Sequence, residues 1–230
     1  NVRPIWRLDD GLRRTYVHGK GMVAETREIN DLERPIEIWQ PKPLGGKIVG
    51  GLGSILGISP FNEYGRRVLT IRGPEGPVQV VQGIKELTSR YAKLIALKGK
   101  PTLSWDMRVA TSSLATSELN TVFKRRMNMD DLNDRLEVVR FYISAKRYED
   151  ARQSLEATIK AFPEETDLQP QLAALTERQG LQLLDEAETR SRAGQYNLAK
   201  NILAGFPLDA VGRITRIKVE DAAKKLTDAE

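Results

Sequence analysis

The hydrophobic pattern of this chain has two textures. From Pro4 to about Arg108, apolar residues fall in short β-favouring runs cut by Gly and Pro. The runs predict strands near Leu12–His18, Met22–Ile29, Ile36–Trp39, Arg67–Arg72, Val78–Gln82, Tyr91–Leu97 and Trp105–Ala110. Tyr91–Leu97 alternates poorly and reads as buried on both faces. "HGKG" (His18–Gly21) and "RGPEGP" (Arg72–Pro77) have the glycines and prolines of tight turns. Short strands at this spacing predict a small sandwich or barrel over residues 1–115, and Thr116–Met127 predicts a linker helix (116–129) capped by Thr116 or Ser117.

After Asn128 glycine becomes rare and helical spacing takes over. Leu132, Leu136, Val139 and Ile143 form one stripe, with Asp130 and Asp131 where negative charge favours a helix N-terminus. Tyr148, Ala151, Leu155 and Ile159 form a second stripe, ending at Phe162–Pro163. The short break between them predicts an antiparallel hairpin. A long helix follows from about Asp167 to Ala193 with Gly180 as a weak point, then a short helix from Ala193–Pro207, then Asp209–Leu226. The fold class is therefore α+β: a β-rich N-terminal domain, then an all-helical domain over 130–230.

The helical part repeats itself. "AKRYEDARQSLEATIKAFP" (Ala145–Pro163) and "AGQYNLAKNILAGFP" (Ala193–Pro207) share a small residue, a Tyr, an Ala three positions on and a terminal Phe-Pro. Tyr148 and Tyr196, like Ala151 and Ala199, lie 48 residues apart. This stretch, about 130–207, resembles the tetratricopeptide repeat, whose second helix starts Gly-x-Tyr-x-x-Ala. Gly194, Tyr196 and Ala199 match that pattern; Lys146 stands where the family prefers Gly, and the spacing exceeds the roughly 34-residue repeat. The resemblance implies a protein–protein interaction module. "WRLDDGLRR" (Trp6–Arg14), "ISPFNEYGRR" (Ile58–Arg67) and "WDMRVATSSL" (Trp105–Leu114) are similar to stretches of large, uncharacterised multi-module proteins of planctomycete-type bacteria, which implies one module of a longer polypeptide.

Candidate chemistry is sparse. "GGKIVGGLGSILGISPFNEYG" (45–65) holds a loose GxGxxxG, but a dinucleotide fingerprint needs a strand before it and a helix after it, and Pro60 intervenes. The segment reads as close backbone packing, a bulge or a flap of the β domain. The only histidine, His18, lies in a predicted turn, and no GxSxG accompanies it. "MDDLND" (Met129–Asp134) lacks the alternating ligands of a calcium loop and reads as helix capping. Zero cysteines exclude thiolate metal sites and cysteine nucleophiles. No catalytic, cofactor or metal residue is assigned, and the chain reads as non-enzymatic.

Charge adds one feature. Residues 1–128 carry 21 Lys/Arg against 12 Asp/Glu, a net +9, whereas 129–230 carry 15 against 19, a net −4. No run is long enough to span a bilayer. The chain opens on Asn1, as a trimmed or processed product would. The basic clusters Arg13–Arg14, Arg66–Arg67 and Lys124–Arg126 invite a nucleic-acid reading, but aromatics are only 6% of the chain and are not gathered near the clusters, and Trp6, Trp39 and Trp105 read as core. The expected partner is a protein or peptide; a nucleic-acid-binding module is the alternative, and an accessory region of a larger hydrolase a further one. The expected contact surface is Arg135, Arg140, Phe141 and Tyr142, which point away from the predicted core stripe. The competing expectation is that the aromatic pair is buried against the β domain.

Overall fold

The computed structural model describes residues 5–9, 14–18, 35–41, 47–48, 53–99, 103–104 and 106–228. The chain forms two units, Asn1–Asn128 and Met129–Glu230. The predicted Met22–Ile29 strand and the turn after His18 lie outside the described residues. No helix among the described residues is long and apolar enough to cross a membrane.

In the first unit, β1 (Ile5–Asp9) and β2 (Arg14–His18) pair antiparallel, and β4 (Lys47–Ile48) pairs parallel with β9 (Leu103–Ser104). The main element is a curled antiparallel sheet. Its order is β10 (Asp106–Ala110), β8 (Tyr91–Gly99), β7 (Gly76–Leu87), β6 (Arg66–Gly73), β5 (Ile55–Ile58), with β3 (Ile36–Glu37) on the far end of β7. Gly73 pairs with Gly76 across a two-residue Pro74–Glu75 turn, the tight turn expected of RGPEGP. Leu69 and Ile71, then Val80 and Ile84, then Ala92, Leu94 and Ala96 are buried by strand alternation. β8 thus buries one set of side chains fully, not both as its sequence suggested. β7 runs five residues past its predicted end at Gln82, with register irregularities at Val81/Gln82 and Ile84/Glu86.

The glycine-rich passage contributes β5, a strand absent from the predicted set. It pairs with β6 through an irregularity between Ile55 and Gly57. A Cβ on Gly53 would lie 2.5 Å from the Arg72 carbonyl oxygen, so only glycine permits this approach. No helix follows the glycines, and the described part of the passage has the close packing and bulge expected of it.

The first unit ends with α1 (Thr116–Arg126). Neither Thr116 nor Ser117 caps it; the Glu118 carboxylate accepts the Ala115 N–H at 3.1 Å and the Phe61 N–H at 2.7 Å. One acidic side chain at the third helical position thus closes the helix start and ties it to the loop before β6. Leu119, Val122 and Phe123 are buried, so α1 packs as core and does more than link.

The second unit is helical: α2 (Leu132–Ser144), α3 (Tyr148–Ala161), α4 (Leu168–Arg192), α5 (Tyr196–Ala204) and α6 (Arg213–Asp228). Asp131 caps α2, accepting the Asp134 N–H at 3.1 Å. α3 packs on both α2 and α4, and α4 on both α5 and α6. Leu184 and Ala187 of α4 share one core with Ala199, Leu203, Val219 and Leu226. α4 is therefore long enough to pack on α3, α5 and α6. Gly180 is a close-packing point in this helix, not a break: a Cβ there would lie 2.7 Å from Val211 Cγ1. Glu177 accepts the Gly212 N–H at 2.7 Å and the Thr215 hydroxyl, fixing the start of α6 from a different helix. Those hydrogen bonds, Thr215 foremost, hold its carboxyl below the usual carboxylate range.

The two hairpin turns have the same backbone. Lys146 and Gly194 both take left-handed φ, 56° and 74°. Lys146 N–H and Arg147 N–H donate to Ile143 and Tyr142 carbonyls at 2.9 Å; Gly194 N–H and Gln195 N–H donate to Ser191 and Arg190 carbonyls at the same distance. Ala151 and Ala199 are both fully buried at the start of the following helix. Gly carries no Cβ penalty in this conformation, whereas Lys does. Lys146→Gly should therefore stabilise the protein by about 0.5–1 kcal/mol in urea unfolding, after its greater backbone entropy is offset. An unchanged midpoint would mean that the turn is not strained.

Candidate functional site

The four residues expected to form a contact surface have different fates. Tyr142 is 0% exposed and Phe141 6%. Their rings meet edge to face at 5.7 Å. The Arg147 guanidinium lies 5.6 Å from the Tyr142 ring and pairs with Asp150 at 2.5 Å. Burial, reinforced by the Asp150 carboxylate and opposed by Arg147, pushes the Tyr142 phenol above its ordinary range. The expectation that this aromatic pair faces a partner is therefore corrected. The predicted core stripe is only partly right: Val139 is buried, Leu132, Leu136 and Ile143 are half-buried, and Val138 and Tyr142 complete the covered arc. Arg135 is also engaged, donating from Nε to the Met129 carbonyl and from Nη1 to that of Ala157 at 3.4 Å. Of the four, Arg140 alone is exposed.

A second constellation lies in the first unit, where sequence reading saw separate charge clusters. The Tyr64 ring is flanked by Arg66, with Cζ 5.4 Å from the ring centroid, and by Arg125, with Cζ at 5.1 Å. Strand β6 supplies the first arginine and the last turn of α1 the second. Gln40 fixes the arrangement: its Nε2 donates to the Tyr64 and Ile84 carbonyls at 2.8 and 3.0 Å, and its Oε1 accepts Arg66 Nε at 2.9 Å. Arg126 Nε donates to the Glu37 carbonyl at 3.0 Å. Between these anchors stands Trp39, 79% exposed, against the expectation that it packs in a core. Trp39, Lys85, Ile95 and Arg126 line a recess of about 820 Å³ together with the carboxylates Glu37 and Glu86. Glu86 accepts the Tyr91 hydroxyl at 2.9 Å. The sequence signal that could have flagged the site is Trp39 beside a β-breaking Pro41, an aromatic at a strand end.

Arg67, the neighbour of Arg66, plays a structural part. Its Nε donates to the buried Gln82 Oε1 at 2.7 Å, and its guanidinium lies 4.5 Å from the Phe61 ring. Burial lowers its pKa, with the Glu118 carboxylate opposing that shift. Among the described residues no group of three or more His, Asp or Glu side chains is placed to hold a metal ion. Neither a family model, nor a curated protein sequence, nor a solved structure gives a significant match to this chain.

Proposed function

We propose that the chain is a non-catalytic protein–protein interaction or assembly module whose helical unit is a tetratricopeptide-like repeat. The observation that carries this reading is the duplicated turn: Lys146 and Gly194 share a left-handed φ, and Ala151 and Ala199 are both buried. A shared backbone turn at one sequence offset is what a repeated helical hairpin requires. The same 48-residue offset that relates Tyr148 to Tyr196 maps Asn133, Glu137 and Arg140 of α2 onto Leu181, Asp185 and Glu188 of α4. All six are exposed, so the first helix of each hairpin leaves the same face uncovered. In helical repeat proteins such faces receive partner segments.

The reading is tested by affinity capture from cell extract with the native chain and with the pair Glu137→Lys and Arg140→Glu. Both positions are exposed, so folding should change by no more than about 0.5 kcal/mol. The native chain should enrich one or a few proteins that the variant loses at unchanged melting temperature. Capture of nothing above background, or of the same proteins by a folded variant, would refute this surface.

A further inference from the structure

We propose that the first unit carries a binding surface for single-stranded nucleic acid, formed by Trp39 and Arg126 in the recess and by Arg66 and Arg125 on the Tyr64 ring, with Gln40 joining the two. This goes beyond the protein-interaction reading and rests on a different unit.

Two features of the arginines point to phosphate. Arg66 and Arg126 are each anchored through Nε, to Gln40 Oε1 and the Glu37 carbonyl, which leaves both terminal nitrogens of each available. Arg125 is held by the Tyr64 ring and has all its donors available. Among the described residues no carboxylate pairs with any of the three. A guanidinium oriented by one nitrogen and open at the other two is organised for the bidentate fork that phosphate accepts. The unit they belong to, residues 1–128, carries a net +9 in its sequence, a charge that favours a polyanion.

Trp39 points to an unpaired base. An indole 79% exposed beside such arginines offers a free π-face, and stacking on it requires a base outside a duplex. The adjoining recess of about 820 Å³ has room for a base and its sugar. A peptide of acidic residues alone would satisfy the arginines but leave the indole without a ring to stack on.

The test is fluorescence anisotropy of a labelled oligothymidylate with the full chain across a salt series. Saturable binding that weakens with salt is expected. Replacing Arg66, Arg125 and Arg126 together by Gln should reduce the magnitude of the log–log salt slope by about 2, at roughly 0.7 per lost charge, and weaken binding at least tenfold. Trp39→Ala should weaken binding roughly 5- to 100-fold with little change in slope, and Trp39→Phe should restore most of it. Circular dichroism and melting temperature verify that each variant folds, and Arg125→Gln with Arg126→Gln serves if the triple variant does not. The proposal is overturned by unsaturable binding at low salt, by folded arginine variants with native affinity, or by indifference to Trp39→Ala. Equal affinity for a duplex, or for a glutamate-rich peptide that ignores Trp39, also overturns it.

Discussion

Tyr142→Ala is expected to destabilise the helical unit by about 3–5 kcal/mol, the range for truncating a large buried aromatic. The side chain is fully covered and meets Phe141 edge to face, so its loss opens a cavity where α2 cannot collapse. A surface contact residue truncated in the same way would change stability by no more than about 0.5 kcal/mol, so urea unfolding separates the two roles. The phenol adds a pH signature. Its folded pKa is raised, chiefly by burial, above the unfolded value of about 10. The neutral phenol's contribution is therefore complete below about pH 10 and is lost as pH climbs from there toward the folded value. Tyr142→Phe should keep most of the packing and flatten that alkaline decline. A Tyr142→Ala protein that melts like the native one would show that the α2 aromatic pair is dispensable to the core, and would reopen it as a contact surface.

That residue also marks where sequence reasoning stopped. Helix periods located α2, α3, α4, α5 and α6 because each buries apolar side chains at turn spacing. One stripe does not define how wide a covered arc is: in α2 the covered arc adds Val138, Phe141 and Tyr142 to the predicted Val139. An aromatic beside a predicted stripe then reads as outward when it is core. The length of α4 was legible, but not its reason, since α3, α5 and α6 reach it from different points of the chain. The Tyr64 cluster was invisible for the same cause. Arg66 and Arg125 meet on one ring only after β6 and α1 have folded, and Gln40 comes from a third segment. The described part of the glycine passage matches its reading because local chemistry decides it: no helix follows, and Gly53 makes the close backbone approach to Arg72.

The same limit governs α1, where the second large effect is expected. Phe123→Ala should destabilise the first unit by about 3–5 kcal/mol, because the ring is 1% exposed and lies in line with the buried Leu119 and Val122. A helix that merely linked two domains would expose such residues. Here the Glu118 carboxylate holds the Phe61 N–H, Arg125 rests on Tyr64 and Arg126 reaches the Glu37 carbonyl. Three contacts from the first and last turns of one helix fasten it along the β unit. A fragment ending at Asn128 should therefore melt cooperatively, whereas one ending at Ala115 should not, since it would expose the apolar surface that α1 covers. The arginine surface provides an independent readout: Phe123→Ala should loosen Arg125 and Arg126 and weaken any oligonucleotide binding in parallel with stability. If the fragment ending at Ala115 folds as well as the longer one, α1 is a linker after all and the positions of Arg125 and Arg126 lose their physical basis.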